Sequence, residues 1–261
     1  MFINNFDPVA FNFFSLEIRW YSLAYIFGII IGWFYCKKYL IKDRSILNIF
    51  DDLITYLIIG IILGGRLGYI LIYNFDYYFN NLAEILMIWK GGMSFHGGLV
   101  GVLISTLIFS KKHNINPFIF LDLISAVAPI GIFLGRIANF LNSELYGKQT
   151  EIFWSVIFPK IDNLTRHPSQ IYEALFEGLI LFLILNLLIR KNMLNKKGEI
   201  TSYFLIFYSL FRFLLEFFRE PDPQIGYLII GMTMGQILCV FLFVIGIGLF
   251  FKKKWKLKNT Q

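Results

Sequence analysis

Long apolar runs separated by short polar segments dominate the chain. Each run is close to the ~20 residues that cross the hydrocarbon core of a membrane as an α-helix. Such runs favour helices, because lipid offers no hydrogen-bond partner to an exposed backbone group. The pattern predicts an all-α integral membrane protein with about seven transmembrane helices, at approximately residues 20–35, 53–73, 93–110, 118–139, 171–189, 200–218 and 228–251.

Composition agrees with this interpretation. Apolar residues make up 57% of the chain and charged residues 16%, whereas soluble domains average ~45–50% and ~25%. Seven spans with short connections use nearly all of the 261 residues. We therefore expect a single transmembrane domain over residues 1–261. Its longest outer connection, at about residues 140–170, is expected to form a small extracytoplasmic segment.

The distribution of Lys and Arg among the loops predicts the orientation in the membrane. The loops after the first, third, fifth and seventh predicted spans hold most of the basic residues. The positive-inside rule places such loops in the cytoplasm. The N-terminus is therefore expected outside and the C-terminus in the cytoplasm. The net charge of +7 follows the same pattern, so we expect no nucleic-acid partner.

The two cysteines, Cys36 and Cys239, lie inside apolar runs and are interpreted as packing residues. The chain has no CxxC motif, and its three histidines show no metal-ligand spacing with the cysteines. We therefore expect no metal site and no cofactor.

Three arginines, Arg66, Arg136 and Arg212, lie within or at the edges of the predicted spans. A charge there costs at least ~2.5 kcal/mol on insertion scales. Each arginine therefore needs either a side chain that pairs with it or a functional role. Glycines surround Arg66 in the sequence, and we interpret it as a packing residue outside the catalytic set. Asp122, deep in the fourth span, likewise needs a basic or hydrogen-bonding partner.

A polar stripe marks one face of the sixth span. Tyr208, Arg212, Glu216 and Arg219 follow one another at helical spacing on a helix otherwise rich in Phe and Leu. One interpretation is a structural salt bridge, since Arg212 and Glu216 can pair at i, i+4. The other is a polar cavity near the outer leaflet, in which the excess of Arg over Glu leaves a positive charge to meet an anion.

Further polar groups are predicted at the same level of the membrane. Arg136 and Asn139 share a face at the outer end of the fourth span, where Gly131 and Gly135 permit close helix approach. His96, between glycines at the outer start of the third span, can move a proton near neutral pH. Since arginine suits phosphate recognition, these groups indicate a site for an anionic lipid head group.

Several of these residues lie in longer motifs. They are RWY at 19–21, GGMSFHGG at 91–98, GRIANFLNSELYG at 135–147, RHPSQIYEALFEG at 166–178 and FRFLLEFFREPD at 211–222. With these motifs the chain resembles bacterial prolipoprotein diacylglyceryl transferases from Asp7 to beyond Phe243. The GRIANFLNSELYG stretch fits the family signature in every fixed position.

The resemblance implies an enzyme that transfers the diacylglyceryl group of phosphatidylglycerol to the lipobox cysteine thiol of a prolipoprotein. Glycerol phosphate is released, in the first step of bacterial lipoprotein maturation. It also implies a multi-pass protein of the bacterial cell inner membrane, with its active site toward the outer leaflet. The partners are then phosphatidylglycerol, prolipoprotein signal peptides and the lipid bilayer.

The resemblance also assigns roles to individual residues. His96 is our hypothesis for the general base, with Tyr21, Tyr208 and Glu216 as open alternatives. The implied catalytic residues are His96, Arg136, Arg212, Tyr21, Tyr208 and Glu216. The implied phosphatidylglycerol-binding residues are Arg136, Asn139, Glu144, Gly147 and Arg219.

Two other classes of function remain as alternatives. A carrier of lipids or small anions would use the same arginines, but it needs a site near the midplane with access from both faces. A structural subunit of a larger complex would leave the clustered polar groups unexplained. The predicted clustering at one leaflet favours the transferase.

Overall fold

The structure, a computed structural model, describes residues 2–14, 16–87, 91–221, 226–228 and 231–258, without the side chains of residues 16, 72, 73, 95, 96 and 253–258. This part of the chain is mostly helical. Its α-helices are α1 (Trp20–Tyr35), α2 (Arg44–Tyr73), α3 (Phe75–Asn80), α4 (Phe95–Lys112), α5 (Pro117–Leu141), α6 (Ser169–Glu173), α7 (Leu181–Arg190), α8 (Glu199–Leu215) and α9 (Met234–Lys258). Two π-helices extend them, Cys36–Leu40 after α1 and Ala174–Ile180 between α6 and α7.

Five helical segments in the described part are long and apolar enough to cross a membrane. They are Trp20–Leu40, Arg44–Leu71, Pro117–Leu141, Ser169–Arg190 and Met234–Lys252. The chain is therefore a multi-pass helical protein by length and composition. Helices α4 and α8 have 18 and 17 residues, which correspond to about 27 and 26 Å at 1.5 Å per residue. They are slightly shorter than a ~30 Å hydrocarbon core, so the count of seven spans stays a prediction.

One compact unit, Cys36–Leu121, contains the helix pair α2 and α4. Glycines line the contact between them: a Cβ atom added to Gly60 would lie 2.6 Å from the carbonyl oxygen of Gly101. A Cβ atom on Gly68 would lie 2.6 Å from the Cα atom of Gly97. Small residues let the two backbones touch, which is a common way for helices to associate in lipid.

Arg66 organises the connection between α2 and α4. Its guanidinium is buried, lies 5.0 Å from the ring of Tyr78, and donates hydrogen bonds to backbone carbonyls of the connection. These carbonyls belong to Glu84, Ile85, Met87, Gly91 and Gly92. Arg66 therefore has the packing role that its glycine-rich surroundings indicated.

The second unit comprises Met1–Tyr35 and Asp122–Gln261. Short strands accompany its helices: β1 (Phe2–Ile3), β2 (Val9–Phe13), β3 (Leu16–Arg19), β4 (Val156–Ile157) and β5 (Thr165–Arg166). Strand β4 pairs in parallel with β1 and antiparallel with β5, while β2 and β3 form a hairpin that leads into α1. Buried Asn4 donates a 2.6 Å hydrogen bond to the carbonyl of Phe140 and ties the N-terminal segment to the end of α5.

Three predicted span limits differ from the helix ends by more than a few residues. Helix α2 begins at Arg44 rather than near residue 53, because the Asp43 carboxylate accepts the N–H of Ser45 and caps the helix. Helix α9 begins at Met234 rather than 228 and continues to Lys258 rather than 251. The end of α8, at Leu215 rather than 218, lies within a few residues of its predicted limit.

Asp122 has the hydrogen-bonding partners that its buried position required. Its carboxylate accepts hydrogen bonds from the backbone N–H groups of Gly198 and Thr201 and from the Thr201 hydroxyl. These groups stand at the start of α8, where helix N–H groups lack partners within the helix. The contact fixes the start of α8 against α5, and through α8 the position of Arg212.

The glycine contact between α2 and α4 predicts different effects of two alanine substitutions on α4. We expect Gly101→Ala to destabilise the protein by about 1–3 kcal/mol, because the methyl group would overlap the backbone of Gly60. Gly98→Ala is the matched control, since its Cβ atom would lie 3.8 Å from the nearest atom, in ordinary contact. Thermal unfolding in detergent would measure both, and equal transition temperatures would contradict the role of the contact.

Candidate active site

Six charged side chains of the second unit meet in one buried group. They come from α5, from α6 with the following π-helix, and from α8 with the turn after it. We call this group the Arg–Glu cluster, and it consists of Arg136, Glu173, Glu177, Arg212, Glu216 and Arg219.

Glu173 is the centre of the Arg–Glu cluster. Its side chain is fully buried. One carboxylate oxygen, Oε2, lies 3.0 Å from Nη1 of Arg136, and the other, Oε1, lies 2.8 Å from Nη1 of Arg212. Oε1 is also 3.7 Å from Nη1 of Arg219. A single carboxylate thus holds arginines from different helices side by side.

Glu177 is equally buried but has fewer contacts. Its Oε2 atom accepts a 3.0 Å hydrogen bond from Nη2 of Arg136. Its Oε1 atom lies 3.8 Å from Nη1 of Arg212, beyond hydrogen-bond distance. Among the residues that the structure describes, Oε1 has no hydrogen-bond partner.

The local backbone explains how the two glutamates reach the arginines. Both lie at the wide turn where α6 continues as the π-helix Ala174–Ile180, a deviation often found at functional sites. At Gly178 this π-helix touches α5, since an added Cβ atom would lie 2.6 Å from Cβ of Phe133. Arg136 stands three residues further along α5, and its guanidinium therefore reaches Glu177.

The pair of Arg212 and Glu216 forms as the i, i+4 spacing predicted. Nη2 of Arg212 lies 2.6 Å from Oε2 of Glu216. The other oxygen of Glu216 accepts a 2.8 Å hydrogen bond from the hydroxyl of Thr233. Because Arg212 also contacts Glu173, the salt bridge belongs to the larger cluster and is not confined to α8.

The expected surplus of positive charge is wrong. Within the described residues the Arg–Glu cluster contains three arginines and three glutamates, so its formal charges cancel. The prediction rested on the polar stripe of α8 alone, and Glu173 and Glu177 had no predicted role. The available signal was two carboxylates four residues apart in an apolar run, which needed basic partners from another helix.

Asn139 and Glu144 form a turn beyond the Arg–Glu cluster, at the end of α5. Nδ2 of Asn139 donates a 3.1 Å hydrogen bond to the carboxylate of Glu144. The residues on either side of Glu144, Ser143 and Leu145, have positive φ angles of 60° and 55°. Such angles are unfavourable for L-residues. Buried Gln170 donates to the carbonyl of Glu144 and helps to hold this strained turn.

Gly147 lies where two other segments leave no space for a side chain. Its N–H donates a 3.1 Å hydrogen bond to the carbonyl of His167. A Cβ atom would lie 2.8 Å from the carbonyl oxygen of Phe218. On the other side, Gly147 pairs with Arg219 in a short β-bridge. The backbone of Gly147 therefore connects the segment that contains His167 to a member of the Arg–Glu cluster.

Arg166 stabilises this connection from outside the spans. Its Nη1 atom donates to the carbonyl of Gly147 at 3.1 Å, and its Nη2 atom lies 2.6 Å from the carboxylate of Asp162. The hydrogen bond from Arg166 lowers the pKa of Asp162 below its ordinary value, so the carboxylate stays ionised at neutral pH. The guanidinium also lies 4.7 Å from the ring of Tyr146.

The two predicted tyrosines have different surroundings. Tyr208 stands one turn before Arg212 on α8, with its ring stacked on Phe204 at 5.6 Å. It lies within electrostatic range of Arg136 and Arg212. Tyr21 on α1 is 37% exposed, and its hydroxyl accepts a 3.3 Å hydrogen bond from Tyr25.

The close helix approach expected at the glycines of α5 occurs at one of them. A Cβ atom on Gly28 of α1 would lie 3.1 Å from Cα of Gly131. An added Cβ atom on Gly135 would meet nothing within 4 Å. An added Cβ atom on Gly131 would likewise meet nothing within 4 Å, so the close approach of α1 to α5 requires a glycine at position 28 and not at 131 or 135.

His96 belongs to the first turn of α4, whose N-terminus is capped by the side chain of Ser94. The imidazole lies outside the described side chains, so its role stays a prediction. Among the residues that were described, no group of three or more His, Cys, Asp or Glu is arranged to hold a metal ion.

Comparison with known proteins identifies the family. The sequence model of the family described as prolipoprotein diacylglyceryl transferase matches residues 8–252. A phosphatidylglycerol–prolipoprotein diacylglyceryl transferase of Rickettsia bellii is 51% identical over 95% of this chain and 95% of its own length. Relatives with the same name from Rickettsia typhi and Rickettsia canadensis are 50% and 48% identical, over 94% and 95% of this chain and 96% and 97% of their own lengths. The chain therefore belongs to the prolipoprotein diacylglyceryl transferase family.

Proposed function

We propose that the protein transfers the diacylglyceryl group of phosphatidylglycerol to the lipobox cysteine thiol of a prolipoprotein, and that the Arg–Glu cluster binds the lipid phosphate. Family membership and the names of the relatives support the reaction. The observation that carries the site is geometric: one buried carboxylate, Glu173, holds Arg136 and Arg212 side by side.

Both arginines keep hydrogen-bond donors for a phosphate. A guanidinium has five N–H donors. Among the described residues, Arg136 makes contacts through Nη1 and Nη2, to Glu173 and Glu177. Within the same part of the chain, Arg212 uses its two terminal nitrogens. Charge-assisted bonds from a guanidinium to phosphate are strong and directional. The carboxylates orient the arginines in advance, so little side-chain entropy is lost when the lipid binds.

The reaction forms one bond and breaks another at the same carbon. The cysteine sulfur attacks the glyceryl carbon that is bonded to the phosphate oxygen. As the S–C bond forms, the C–O bond breaks and its electron pair leaves with glycerol phosphate. The phosphate thus gains negative charge, which Arg136 and Arg212 stabilise. Preorganised charge in a water-poor site is usually the largest catalytic contribution.

The thiol must lose a proton, because the thiolate is the nucleophile and a free cysteine has a pKa of ~8.5. We assign this proton to His96, whose ordinary pKa of ~6.5 suits a base at neutral pH. Tyr21, Tyr208 and Glu216 are the alternatives for this role. In addition to the two arginines that bind the phosphate, we assign the binding of phosphatidylglycerol to Asn139, Glu144, Gly147 and Arg219.

We further propose the finer topology. Helices α4 and α8, which correspond to the third and sixth predicted spans, raise the number of spans from five to seven. All seven form a single transmembrane domain in the bacterial inner membrane. The N-terminus then lies outside and the C-terminus in the cytoplasm, in agreement with the basic loops. In this orientation the end of α5 and the end of α8, with the Arg–Glu cluster, lie toward the outer leaflet.

The transfer reaction is tested directly with purified protein in micelles that contain phosphatidylglycerol. We expect a synthetic lipobox peptide to gain the mass of a diacylglyceryl group. A peptide with serine in place of the cysteine should gain nothing, because the acceptor is the thiol. Mass spectrometry measures both. Verified folded protein that transports lipid between leaflets of a vesicle but leaves the peptide unmodified would favour the carrier instead.

The phosphate-binding role predicts that Arg136→Ala and Arg212→Ala each reduce peptide modification by about 10²–10³-fold or more. The measurement is the turnover rate at matched amounts of folded protein. Arg190→Ala is the control, since Arg190 is an exposed arginine in the last turn of α7, and it should keep the wild-type rate. Near-wild-type turnover in either cluster variant would remove that arginine from the site.

The assignment of the base predicts a change in the pH dependence of the rate. In the wild type the rate should fall as the pH drops below the pKa of the histidine, ~6.5 in water. His96→Gln should lower the rate and abolish this acid limb. The pH–rate profiles of both proteins provide the comparison. An unchanged acid limb with a retained rate would exclude His96 and direct attention to the alternatives.

A further inference from the structure

The Arg–Glu cluster has balanced charges before the lipid binds. Its three glutamate side chains are at most 7% exposed and its three arginine side chains at most 15%. A phosphodiester carries one negative charge at neutral pH. A bound phosphatidylglycerol phosphate would therefore leave the cluster with one negative charge in excess, among apolar helices.

An uncompensated buried charge is costly, and proteins usually avoid it by changing the protonation state of a group. We propose that Glu177 takes up one proton when the phosphate of phosphatidylglycerol binds to the Arg–Glu cluster. This inference rests on the proposed function, and it adds a proton to the lipid-binding step. The lipid then binds as an anion together with a proton, and the net charge of the site is unchanged.

Glu177 is the carboxylate that loses least by becoming neutral. Glu173 contacts three arginines, and a proton on it would weaken all three contacts. Glu216 has a close ion pair with Arg212 and a hydrogen bond from Thr233. Each of the three glutamates has one oxygen atom without a hydrogen bond among the described residues. In Glu173 and Glu216 that oxygen still lies 3.0 and 2.6 Å from an arginine nitrogen, whereas Oε1 of Glu177 lies 3.8 Å from Nη1 of Arg212.

Glu177 cannot avoid the cost of a buried charge by moving its side chain into water. Its side chain is fully buried in the π-helix, within a span of 22 residues. The groups that face it are Arg136 and Arg212, the carboxylate of Glu173, the hydroxyl of Tyr208 and the thiol of Cys239. Once the two arginines also contact the phosphate, their positive charge is shared with a second anion, and the other groups that face Glu177 are neutral or negative.

A proton on Oε1 also creates a new hydrogen-bond donor. An ionised carboxylate only accepts hydrogen bonds, whereas a protonated carboxyl group donates one through its O–H. Oε1 lies 3.8 Å from Nη1 of Arg212, which is a guanidinium that we assign to the phosphate. Protonated Glu177 can therefore donate to a phosphate oxygen that Arg212 binds, where an ionised Glu177 would repel it.

The test counts the protons that accompany lipid binding. Short-chain phosphatidylglycerol is titrated into the detergent-solubilised full chain at pH 7.5, without peptide, in two buffers of different ionisation enthalpy. The difference between the calorimetric heats gives the proton uptake. We expect about one proton per lipid for the wild type, and an affinity that falls about tenfold per unit rise in pH. Glu177→Gln should take up about none and bind independently of pH.

Two controls keep the result specific. Glu199→Gln makes the same change at the other end of α8, in the first turn, and should take up as many protons as the wild type. Phosphatidylcholine, which has no net charge, should cause no proton uptake. If Glu177→Gln does not fold, infrared difference spectra of the wild type replace it. Binding of the anionic lipid should then produce the carbonyl band of a protonated carboxyl group, which shifts in D₂O and is thereby distinguished from the ester bands of the lipid.

The outcomes separate this inference from the proposed function. Saturable binding of phosphatidylglycerol by the wild type without proton uptake would overturn the role of Glu177 and leave lipid binding at the site intact. Wild-type proton uptake that persists in Glu177→Gln would also overturn it, since another group would carry the proton. A failure of the wild type to bind phosphatidylglycerol at all would contradict the proposed function.

Discussion

The cost of ionised groups away from water is the constraint on which the rest of the site depends. Glu173 is fully buried and has ion pairs with Arg136, Arg212 and Arg219. Removing any partner would leave a charge uncompensated in an apolar surrounding, which is far more costly than losing a surface salt bridge. Helices that donate to one carboxylate therefore cannot shift independently. The same contacts that satisfy the buried charges also hold two guanidiniums against one carboxylate, where we propose that the lipid phosphate binds.

Small residues and irregular turns in the surrounding backbone let the segments that carry these charged groups approach one another. Gly178 allows the π-helix to touch α5 at Phe133, and the π-helix itself carries Glu177. Beyond the spans, Gly147 allows three segments to meet at one point. A larger side chain at Gly178 would overlap Phe133 of α5 and would force the π-helix that carries Glu177 away from Arg136. Irregular geometry is thus concentrated next to the charged groups.

Contacts within one helix could be predicted from the sequence, because the helical repeat determines which residues share a face. The pair of Arg212 and Glu216 is of this kind, and so is the placement of Arg136 and Asn139. The pairing of Arg136 with Glu173 and Glu177 depends on how two helices pack, and a single sequence does not contain that register. The charge balance of the site was therefore missed. Apolar patterns located five segments that are long and apolar enough to cross a membrane, but they misplaced the start of α2 and both ends of α9.

The buried carboxylates also have a consequence for the biosynthesis of the protein. The helix that contains Glu173 and Glu177 follows α5 in the chain, so Arg136 enters the membrane before its partners do. Insertion of an isolated carboxylate at the centre of a helix costs about 2.5–3.5 kcal/mol. Pairing with Arg136 offsets that cost as the two segments leave the insertion machinery together. The order of charged residues along the chain, arginine before glutamate and then arginine again, thus gives each of the two later helices a partner of opposite charge that was synthesised before it.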